Sequence, residues 1–340
     1  MNLAELKSTA SRLMAPDKGL IAMDESLSTI NKRFEPLGIP LTEEYRRKYR
    51  ELIVTTPNLG ECISGAILFD ETVHQSTADG KPFLDVLKEH GIVAGIKVDE
   101  GAVDMEGFPG EKITEGLDGL GTRLADYYHK GLRFAKWRAV INITEHTPTA
   151  PAIKANAYNL ARYAALCQQA GLVPIVEPEV LMDGTHTLQR CLEVTTEVLH
   201  AVFNALYEQR VAFEGMILKP NMILPGSDAT LQDEASKIAD ATVQCFLRCV
   251  PAAVPGIAFL SGGQEAELAT ERLNAMHVQY EQVLPWALTF SFSRALHQPA
   301  LEKWAGDDAN VKEAQDILYK RAYLNNLARR GEYTPDMEKH

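Results

Sequence analysis

Residues 151–179 read PAIKANAYNLARYAALCQQAGLVPIVEPE. The part from 151 to 170 carries apolar side chains at helical spacing, begins with a proline and ends just before Gly171, which predicts an amphipathic helix. The part from 173 to 179 is a short apolar run typical of a buried strand. A helix that leads directly into a buried strand is the repeating unit of parallel α/β folds.

The same alternation extends along the chain. Apolar runs predict eight strands, at 19–24, 63–69, 93–98, 134–142, 173–179, 214–219, 256–261 and 286–292. Amphipathic patterns predict helices at 43–54, 120–130, 151–170, 186–207, 235–250 and 310–330. With no Gly/Ser-rich linker between them, these elements favour an α/β fold of the (β/α)8 TIM-barrel type over a doubly wound open sheet. We expect one domain over 1–340, with a short C-terminal tail at 331–340.

The charge balance restricts the classes of ligand. The 340 residues include 34 Lys and Arg against 46 Asp and Glu, a net charge of -12, which disfavours binding to nucleic acid or to anionic membranes. Any anionic ligand then requires a local group of cations. The sequence has no secretory leader pattern and no apolar window long enough to span a bilayer, so we expect a soluble, cytoplasmic protein.

Cysteine and histidine spacing gives little sign of metal or redox chemistry. The five cysteines show no CxxC pattern and the nine histidines no HxxxH or HExxH pattern, which favours reduced intracellular thiols and no metal site. Cys245 and Cys249 lie four apart in a predicted helix and could meet as a redox pair. We favour the alternative, that both are small core residues.

Charged residues interrupt the predicted strands at regular positions. Glu177 and Glu179 are two apart and point to one side of their strand, and Lys136 and Arg138 do the same in the run 134–142. Because helices cover the outside of a parallel barrel, we expect these side chains to face its interior. The alternative is a set of structural carboxylates paired with lysines.

Lys97, Lys219 and Asp24 stand at further predicted strand ends. Each alone could be a surface residue, but buried lysines are rare and barrel active sites form at strand ends. Inward lysines favour covalent chemistry at a carbonyl or the binding of an anionic substrate. A nucleophilic lysine must lose its proton, from a reference pKa of about 10.4, and we expect burial and mutual repulsion to lower the pKa values of Lys136 and Lys219.

Two loops are candidates for phosphate binding. Leu260-Ser-Gly-Gly-Gln264 follows the seventh predicted strand, and its glycines let backbone N–H groups approach an anion. Ser291-Phe-Ser-Arg294 follows the eighth and supplies the Ser291 hydroxyl, backbone donors and a guanidinium. In TIM barrels, the loops after strands seven and eight frequently form a phosphate site.

Motifs over most of the chain resemble those of class I fructose-1,6-bisphosphate aldolases. They are Met23-Asp-Glu-Ser26, Gly95-Ile-Lys-Val-Asp99, Phe134-Ala-Lys-Trp-Arg138, Glu145-His-Thr-Pro148, Ile175-Val-Glu-Pro-Glu179, Leu218-Lys-Pro-Asn221, Leu260-Ser-Gly-Gly263 and Pro285-Trp-Ala-Leu-Thr-Phe290. The resemblance implies a lyase that cleaves fructose 1,6-bisphosphate reversibly to dihydroxyacetone phosphate and glyceraldehyde 3-phosphate, in glycolysis, gluconeogenesis or the Calvin cycle. It also implies sugar phosphates as ligands, no cofactor, and a homo-oligomer, commonly a tetramer.

The resemblance assigns roles to particular residues. Lys219 matches the lysine that forms the imine with C2 of the ketose, Glu177 the general acid and base for carbinolamine dehydration, and Lys136 the cation that keeps the site electropositive. Asp24 matches the carboxylate that takes the C4 hydroxyl proton, and Glu179 a residue that supports the two lysines. The substrate-binding matches are Ser261, Gly262 and Arg294 at the C1 phosphate, Ser26, Lys97 and Arg138 at the rest of the substrate and the C6 phosphate, and Arg33 as a further substrate-facing arginine.

The chain departs from the family pattern at three places. Thr29 stands where the family has a serine near the C6 phosphate, and Ser293 where it has a glycine before Arg294. The longer tail, whose last tyrosine folds over the site in animal and plant relatives, is absent before the end at His340. We expect Tyr333 to stay outside the site, so another group must carry the last proton transfer.

Two alternative functions remain open at this stage. A Schiff-base aldolase that acts also or mainly on sedoheptulose 1,7-bisphosphate would need the same residues. A catalytically silent barrel, used as a binding scaffold, is the other alternative, because a fold does not guarantee a function.

Overall fold

The computed structural model describes residues 1–280 and 283–339. Its strands are β1 (Gly19–Met23), β2 (Ile63–Leu68), β3 (Val93–Lys97), β4 (Gly101–Asp104), β5 (Lys112–Glu115), β6 (Phe134–Ile141), β7 (Val173–Val180), β8 (Ile217–Leu218), β9 (Gly256–Phe259) and β10 (Ala287–Phe292). Apart from the β4–β5 hairpin, these strands are parallel and close into a barrel in the order β1-β2-β3-β6-β7-β8-β9-β10. The predicted TIM barrel is confirmed, and the doubly wound sheet is excluded.

The six predicted helices are all present, with ends within two residues of the prediction. The helices are α1 (Leu3–Leu13), α2 (Leu27–Phe34), α3 (Glu43–Val54), α4 (Leu59–Cys62), α5 (Asp70–Val73), α6 (Phe83–Glu89), α7 (Leu120–His129), α8 (Ala150–Gln169), α9 (Leu188–Glu208), α10 (Ala235–Cys249), α11 (Ala266–Tyr280), α12 (Arg294–Trp304) and α13 (Val311–Arg329). Helices α1, α2, α4, α5, α6, α11 and α12 were not predicted. In α11 and α12, buried polar residues such as Arg272 and His297 interrupt the apolar pattern. In the described part of the chain, no helix is long and apolar enough to cross a membrane.

One predicted strand differs from the structure. The sequence predicts a strand over 214–219, whereas Phe213–Gly215 forms a 3-10 turn and β8 contains only Ile217 and Leu218. The pairing of β8 with β7 extends by one further hydrogen bond, in which Lys219 N donates to Val176 O at 2.8 Å. Pro220 has no N–H to continue the ladder, so Lys219 stands at the very end of the strand.

Side chains alternate between the barrel interior and the surrounding helices. In β1, Leu20 and Ala22 pack inside, whereas Ile21 and Met23 pack against the helical shell. The N-terminal half of the interior is apolar, and α1 closes it from below. This apolar interior contains Leu6, Ala10, Leu13, Met14, Leu20, Ala22, Ile67, Val93, Phe134, Val173, Ile175, Ile217 and Ala258. By the same alternation, the next inward positions are charged: Asp24, Lys97, Lys136, Glu177 and Lys219.

The cysteines lie in the helices that surround the barrel. All five are free and buried. Cys245 Sγ lies 3.5 Å from Thr196 Oγ1, and Cys249 Sγ lies 3.7 Å from His200 Nε2. Both thiols therefore pack between α9 and α10, outside the barrel.

Candidate active site

Four charged side chains meet at the C-terminal ends of the barrel strands. Lys219 Nζ lies 3.1 Å from Glu177 Oε1. Lys136 Nζ lies 2.9 Å from Asp24 Oδ2 and 3.4 Å from Glu177 Oε2. All four residues are buried. Residues from β6, β7 and the ends of β1 and β8 thus form one cluster, with Glu177 between the two lysines.

Asp99 belongs to the same cluster, although it was not among the site residues predicted from the sequence. Its Oδ1 lies 2.8 Å from Lys97 Nζ, and its Oδ2 lies 3.7 Å from Lys136 Nζ. Asp99 Oδ2 also accepts from the backbone N–H of Arg138 at 3.3 Å. The sequence carried a signal, because Asp99 follows Lys97 by two positions and shares its inward direction.

Asp24 and Lys136 keep their charges in this cluster. Burial raises the pKa of Asp24, but Lys136 and Lys219 outweigh this effect and lower the pKa below its usual value. Burial lowers the pKa of Lys136, but Asp24, Glu177 and Asp99 outweigh it and raise the pKa above its usual value. The predicted lowering is therefore wrong for Lys136, because three carboxylates lie within 3.7 Å of its ammonium.

Glu179 makes its ion pair with Arg138, whose Nε donates to Glu179 Oε2. Burial disfavours the charge of Arg138, but Glu179 outweighs this effect and raises the pKa of the guanidinium. The sequence predicts that Glu179 supports the two lysines, whereas among the described residues its ion pair is with Arg138. In the strand register, Arg138 lies opposite Glu177, but the Glu177 carboxylate lies beside Lys136 and Lys219, and Arg138 reaches Glu179 two residues further along β7.

The two predicted phosphate loops lie side by side at the barrel mouth. Gly262 and Gly263 have φ of +62° and +93°, the left-handed region that favours glycine. A Cβ on Gly263 would lie 3.2 Å from Arg294 Nη2. The guanidinium of Arg294 therefore extends from the start of α12 over the loop that begins at Ser261.

Gln264 and Arg272 anchor the first of these loops from below, and neither was predicted as a site residue. Gln264 Nε2 donates to Ser261 O at 2.9 Å, and Arg272 Nη1 donates to Gln264 Oε1 at 2.7 Å. Ser291, at the end of β10, is buried, and its hydroxyl has no hydrogen-bond partner among the described residues. Ser291 therefore presents a buried hydroxyl, unpaired within the described ranges, next to the two loops.

Hydroxyl groups cluster at the N-terminus of α2. Ser26 is the N-cap, and its Oγ accepts from Thr29 N at 3.4 Å. The same oxygen lies 3.1 Å from Ser28 Oγ and 3.0 Å from Thr29 Oγ1. Together with the helix N-terminus, these donors suit an anionic group. Thr29 therefore keeps a hydroxyl where the family has a serine.

Glu25 binds two arginines on the outer side of this site and was not predicted as a site residue. Its Oε1 accepts from Arg33 Nη1, and its Oε2 accepts from Arg50 Nη1 at 2.7 Å. Burial raises the pKa of Glu25, but Arg50 and Arg33 outweigh this effect and lower it. The predicted substrate-facing Arg33 is thus tied to the end of β1, and Arg50 ties the same carboxylate to α3.

Tyr333 lies in the C-terminal segment and contacts α11. Its backbone N–H donates to Asn274 Oδ1 at 3.0 Å, and its hydroxyl donates to Glu338 Oε1 at 3.1 Å. Glu338 also pairs with Arg321. His340 lies outside the described residues. Within 1–280 and 283–339, no three His, Cys, Asp or Glu side chains are grouped so that they could hold a metal ion.

Comparisons with known proteins agree with one another. Residues 5–340 match the family described as fructose-bisphosphate aldolase class-I. The chain is 54% identical over 334 residues to a probable fructose-bisphosphate aldolase class 1 of Xanthomonas campestris pv. campestris, which covers 98% of this chain and 99% of that protein. It is 50% identical over 332 residues to the cytosolic fructose-bisphosphate aldolase 6 of Arabidopsis thaliana, with 98% and 92% covered. A solved complex of fructose-bisphosphate aldolase from Plasmodium falciparum with TRAP and a small-molecule inhibitor matches with a TM-score of 0.96 at 46% identity, covering 97% of this chain and 95% of that chain.

Proposed function

The chain belongs to the class I fructose-bisphosphate aldolase family, whose members are carbon–carbon lyases, and we propose that it cleaves fructose 1,6-bisphosphate through an imine on Lys219. The products are dihydroxyacetone phosphate and glyceraldehyde 3-phosphate, and the reaction is reversible. One observation carries the proposal: the buried Lys219 Nζ lies 3.1 Å from the buried Glu177 Oε1 at the C-terminal end of a barrel strand.

Imine formation is the first step. The neutral amine of Lys219 attacks C2 of the ketose, and the carbinolamine then loses water. Glu177 lies within hydrogen-bond reach of the amine and supplies and removes the protons of this step. The protonated imine accepts the electron pair of the breaking C3–C4 bond, so the product is a neutral enamine. This electron sink needs no metal or organic cofactor.

Cleavage requires a base at the C4 hydroxyl, and Asp24 has this role. Its two lysines keep it ionised, and the Lys136 ammonium, 2.9 Å from Asp24 Oδ2, stabilises negative charge that develops beside it. The enamine is then reprotonated by Glu177 through a water molecule, because the same residue already handles protons at the neighbouring imine.

The two phosphates bind at opposite sides of the barrel mouth. Backbone and side-chain donors of the loops after β9 and β10 bind the C1 phosphate, and those of α2, β3 and β6 bind the C6 end. The first group comprises Ser261, Gly262, Ser291 and Arg294, and the second comprises Ser26, Thr29, Lys97 and Arg138. Arg33, which hydrogen-bonds Ser293 beside Arg294, is a further substrate-facing cation. Glycines with positive φ and an overlying guanidinium support the first assignment.

Assembly and location follow the family. We propose a homotetramer in the cytoplasm that takes part in glycolysis, gluconeogenesis or the Calvin cycle. The name of the cytosolic Arabidopsis relative supports the compartment. Size-exclusion chromatography with light scattering measures the oligomeric state.

Borohydride trapping tests the proposed mechanism. Reduction of the chain in the presence of dihydroxyacetone phosphate should inactivate it, and peptide mapping should place the adduct on Lys219. Lys219→Arg keeps the charge but cannot form the imine, so it should give no adduct. EDTA should leave activity unchanged. An adduct on another lysine, or activity that EDTA removes and zinc restores, would overturn the mechanism.

A further inference from the structure

Ser293 is the N-cap residue of α12, immediately before Arg294, at the position where the family resemblance predicts glycine. Its hydroxyl reaches residues of two other elements. Ser293 Oγ donates to Glu25 Oε1 at 3.2 Å, and it accepts from Arg33 Nη1 and Nη2, each at 3.4 Å. A glycine could make none of these contacts.

His297, one turn further along α12, lies beside the Ser293 hydroxyl. His297 Nε2 lies 3.2 Å from Ser293 Oγ and 2.9 Å from Ala22 O. Because Ala22 O only accepts, Nε2 carries the ring hydrogen, and Nδ1 accepts from the Tyr49 hydroxyl at 2.6 Å. The imidazole is thereby held from both ends.

The surroundings of this contact are rigid. His297, Tyr49, Arg50 and Glu25 are buried, and Arg50 occupies the second oxygen of the Glu25 carboxylate. Arg33 is the member of the group with the greater access to solvent, since its side chain is 16% exposed against 4% for Glu25. Ser293 therefore joins a fixed buried network to an arginine that still has free donors.

We propose that Ser293 is a positioning residue for phosphate binding: its hydroxyl holds Arg33 against the loop that carries Arg294, so that both guanidinium groups face the same phosphate before it binds. This inference rests on the proposed function, which takes Arg33 and Arg294 as substrate-binding residues. The physical basis is preorganisation, because an arginine whose rotamer is fixed in advance loses less conformational freedom on binding.

The first test compares Ser293→Ala with Ser8→Ala, an exposed serine on α1 as the matched control. Affinity for dihydroxyacetone phosphate should fall roughly threefold to tenfold in Ser293→Ala, the size of one lost hydrogen bond. Affinity for unphosphorylated dihydroxyacetone should stay the same. For cleavage of fructose 1,6-bisphosphate, KM should rise by a similar factor while kcat is retained. Ser293→Thr keeps the hydroxyl and should restore the affinity.

A double-mutant cycle separates positioning from a general structural effect. In an Arg33→Ala background, Ser293→Ala should weaken phosphate binding by less than about twofold, because its partner is already absent. Three results would overturn the proposal. Ser293→Ala could weaken phosphate binding by the same factor in both backgrounds, weaken binding of the phosphorylated and unphosphorylated ligands equally, or leave the affinity unchanged. Melting curves identify a variant that has lost its fold. Binding is measured directly, so a chain that bound the phosphate ester without forming an imine would contradict the proposed reaction and not the role of Ser293.

Discussion

Asp24 and Glu25 are consecutive residues that meet different cations. Asp24 points into the barrel and lies 2.9 Å from the Lys136 ammonium. Glu25 points outward and binds the guanidinium groups of Arg33 and Arg50. Lysine can exchange its proton when its surroundings change, whereas arginine stays charged and binds carboxylates in a fixed geometry. The inner cluster of Asp24, Lys136, Glu177 and Lys219 is therefore suited to proton chemistry. The outer cluster of Glu25, Arg33 and Arg50 is suited to holding the site in place.

The largest expected effect is in the inner cluster. Lys136→Met should slow cleavage by about 10³-fold, near the middle of the range for a group that acts on proton transfer. Imine trapping should slow as well, because Asp24 and Glu177 lose the ammonium that balances their charge. Lys136→Arg keeps the charge and should lose less. Rapid-quench trapping measures the first step, and a normal trapping rate in Lys136→Met would show that Lys136 acts only later.

A change in the outer cluster should lower the stability of the fold. Glu25→Gln leaves Arg33 and Arg50 without their carboxylate, which should lower the free energy of unfolding by roughly 3 kcal/mol. Urea unfolding measures this change. Asp316→Asn removes an exposed partner of Lys312 and serves as the control, with no measurable change expected. If Glu25→Gln unfolded at the same urea concentration as the parent chain, the outer cluster would have no structural role.

Two buried histidines should make stability depend on pH. Burial lowers the pKa of His297 and of His277 to about 4, from an ordinary value of 6.5. Between pH 6.5 and 4 the unfolded chain binds protons on both histidines and the folded chain does not, so stability falls as the pH falls. Each histidine should contribute about 1.4 kcal/mol per pH unit at most. Glu25, whose ordinary pKa is 4.5, adds to this decrease only at the acid end of the window, and Asp24, whose ordinary pKa is 3.8, adds to it below the window.

His277→Gln tests this pH dependence away from the active site. His277 Nε2 donates to Leu288 O at 3.1 Å, and glutamine can donate to the same carbonyl without titrating. The variant should lose about half of the decrease in unfolding free energy between pH 6.5 and 4.5. An unchanged slope in urea titrations at these two pH values would assign the dependence to other groups.

The smallest expected effect is at the C-terminal segment. Deletion of residues 334–340 removes Glu338 from Arg321 and Tyr333, so the melting temperature should fall. Cleavage and exchange of the dihydroxyacetone phosphate proton should stay nearly unchanged in the folded enzyme, because Tyr333 contacts α11 and not the barrel mouth. Deletion of 339–340 alone retains Glu338 and is the matched control. A fall in exchange of about tenfold or more, roughly 1.4 kcal/mol of barrier, would show that this segment supplies the proton.

Local pattern was sufficient to predict the barrel and the direction of its charges. The alternation of Val173, Ile175, Glu177 and Glu179 follows from the two-residue period of a strand, and the structure places Val173 and Ile175 in the apolar interior. The helix before this strand begins and ends within one residue of the prediction. Such features depend on neighbours in the chain, and they can be predicted without knowledge of the fold.

Distances between strands were decided by the closed barrel alone. Period-two alternation puts Asp99, Glu177 and Glu179 on the inside. Only the packing of side chains in the closed barrel decides that Asp99 meets Lys136 and that Glu179, rather than Glu177, meets Arg138. The sign of the Lys136 pKa shift follows from those same distances, because Coulomb energies depend on separation and burial. The sequence by itself determined which groups face inward. Tertiary structure decided which charge lies beside which, and therefore that Lys136 remains an ammonium.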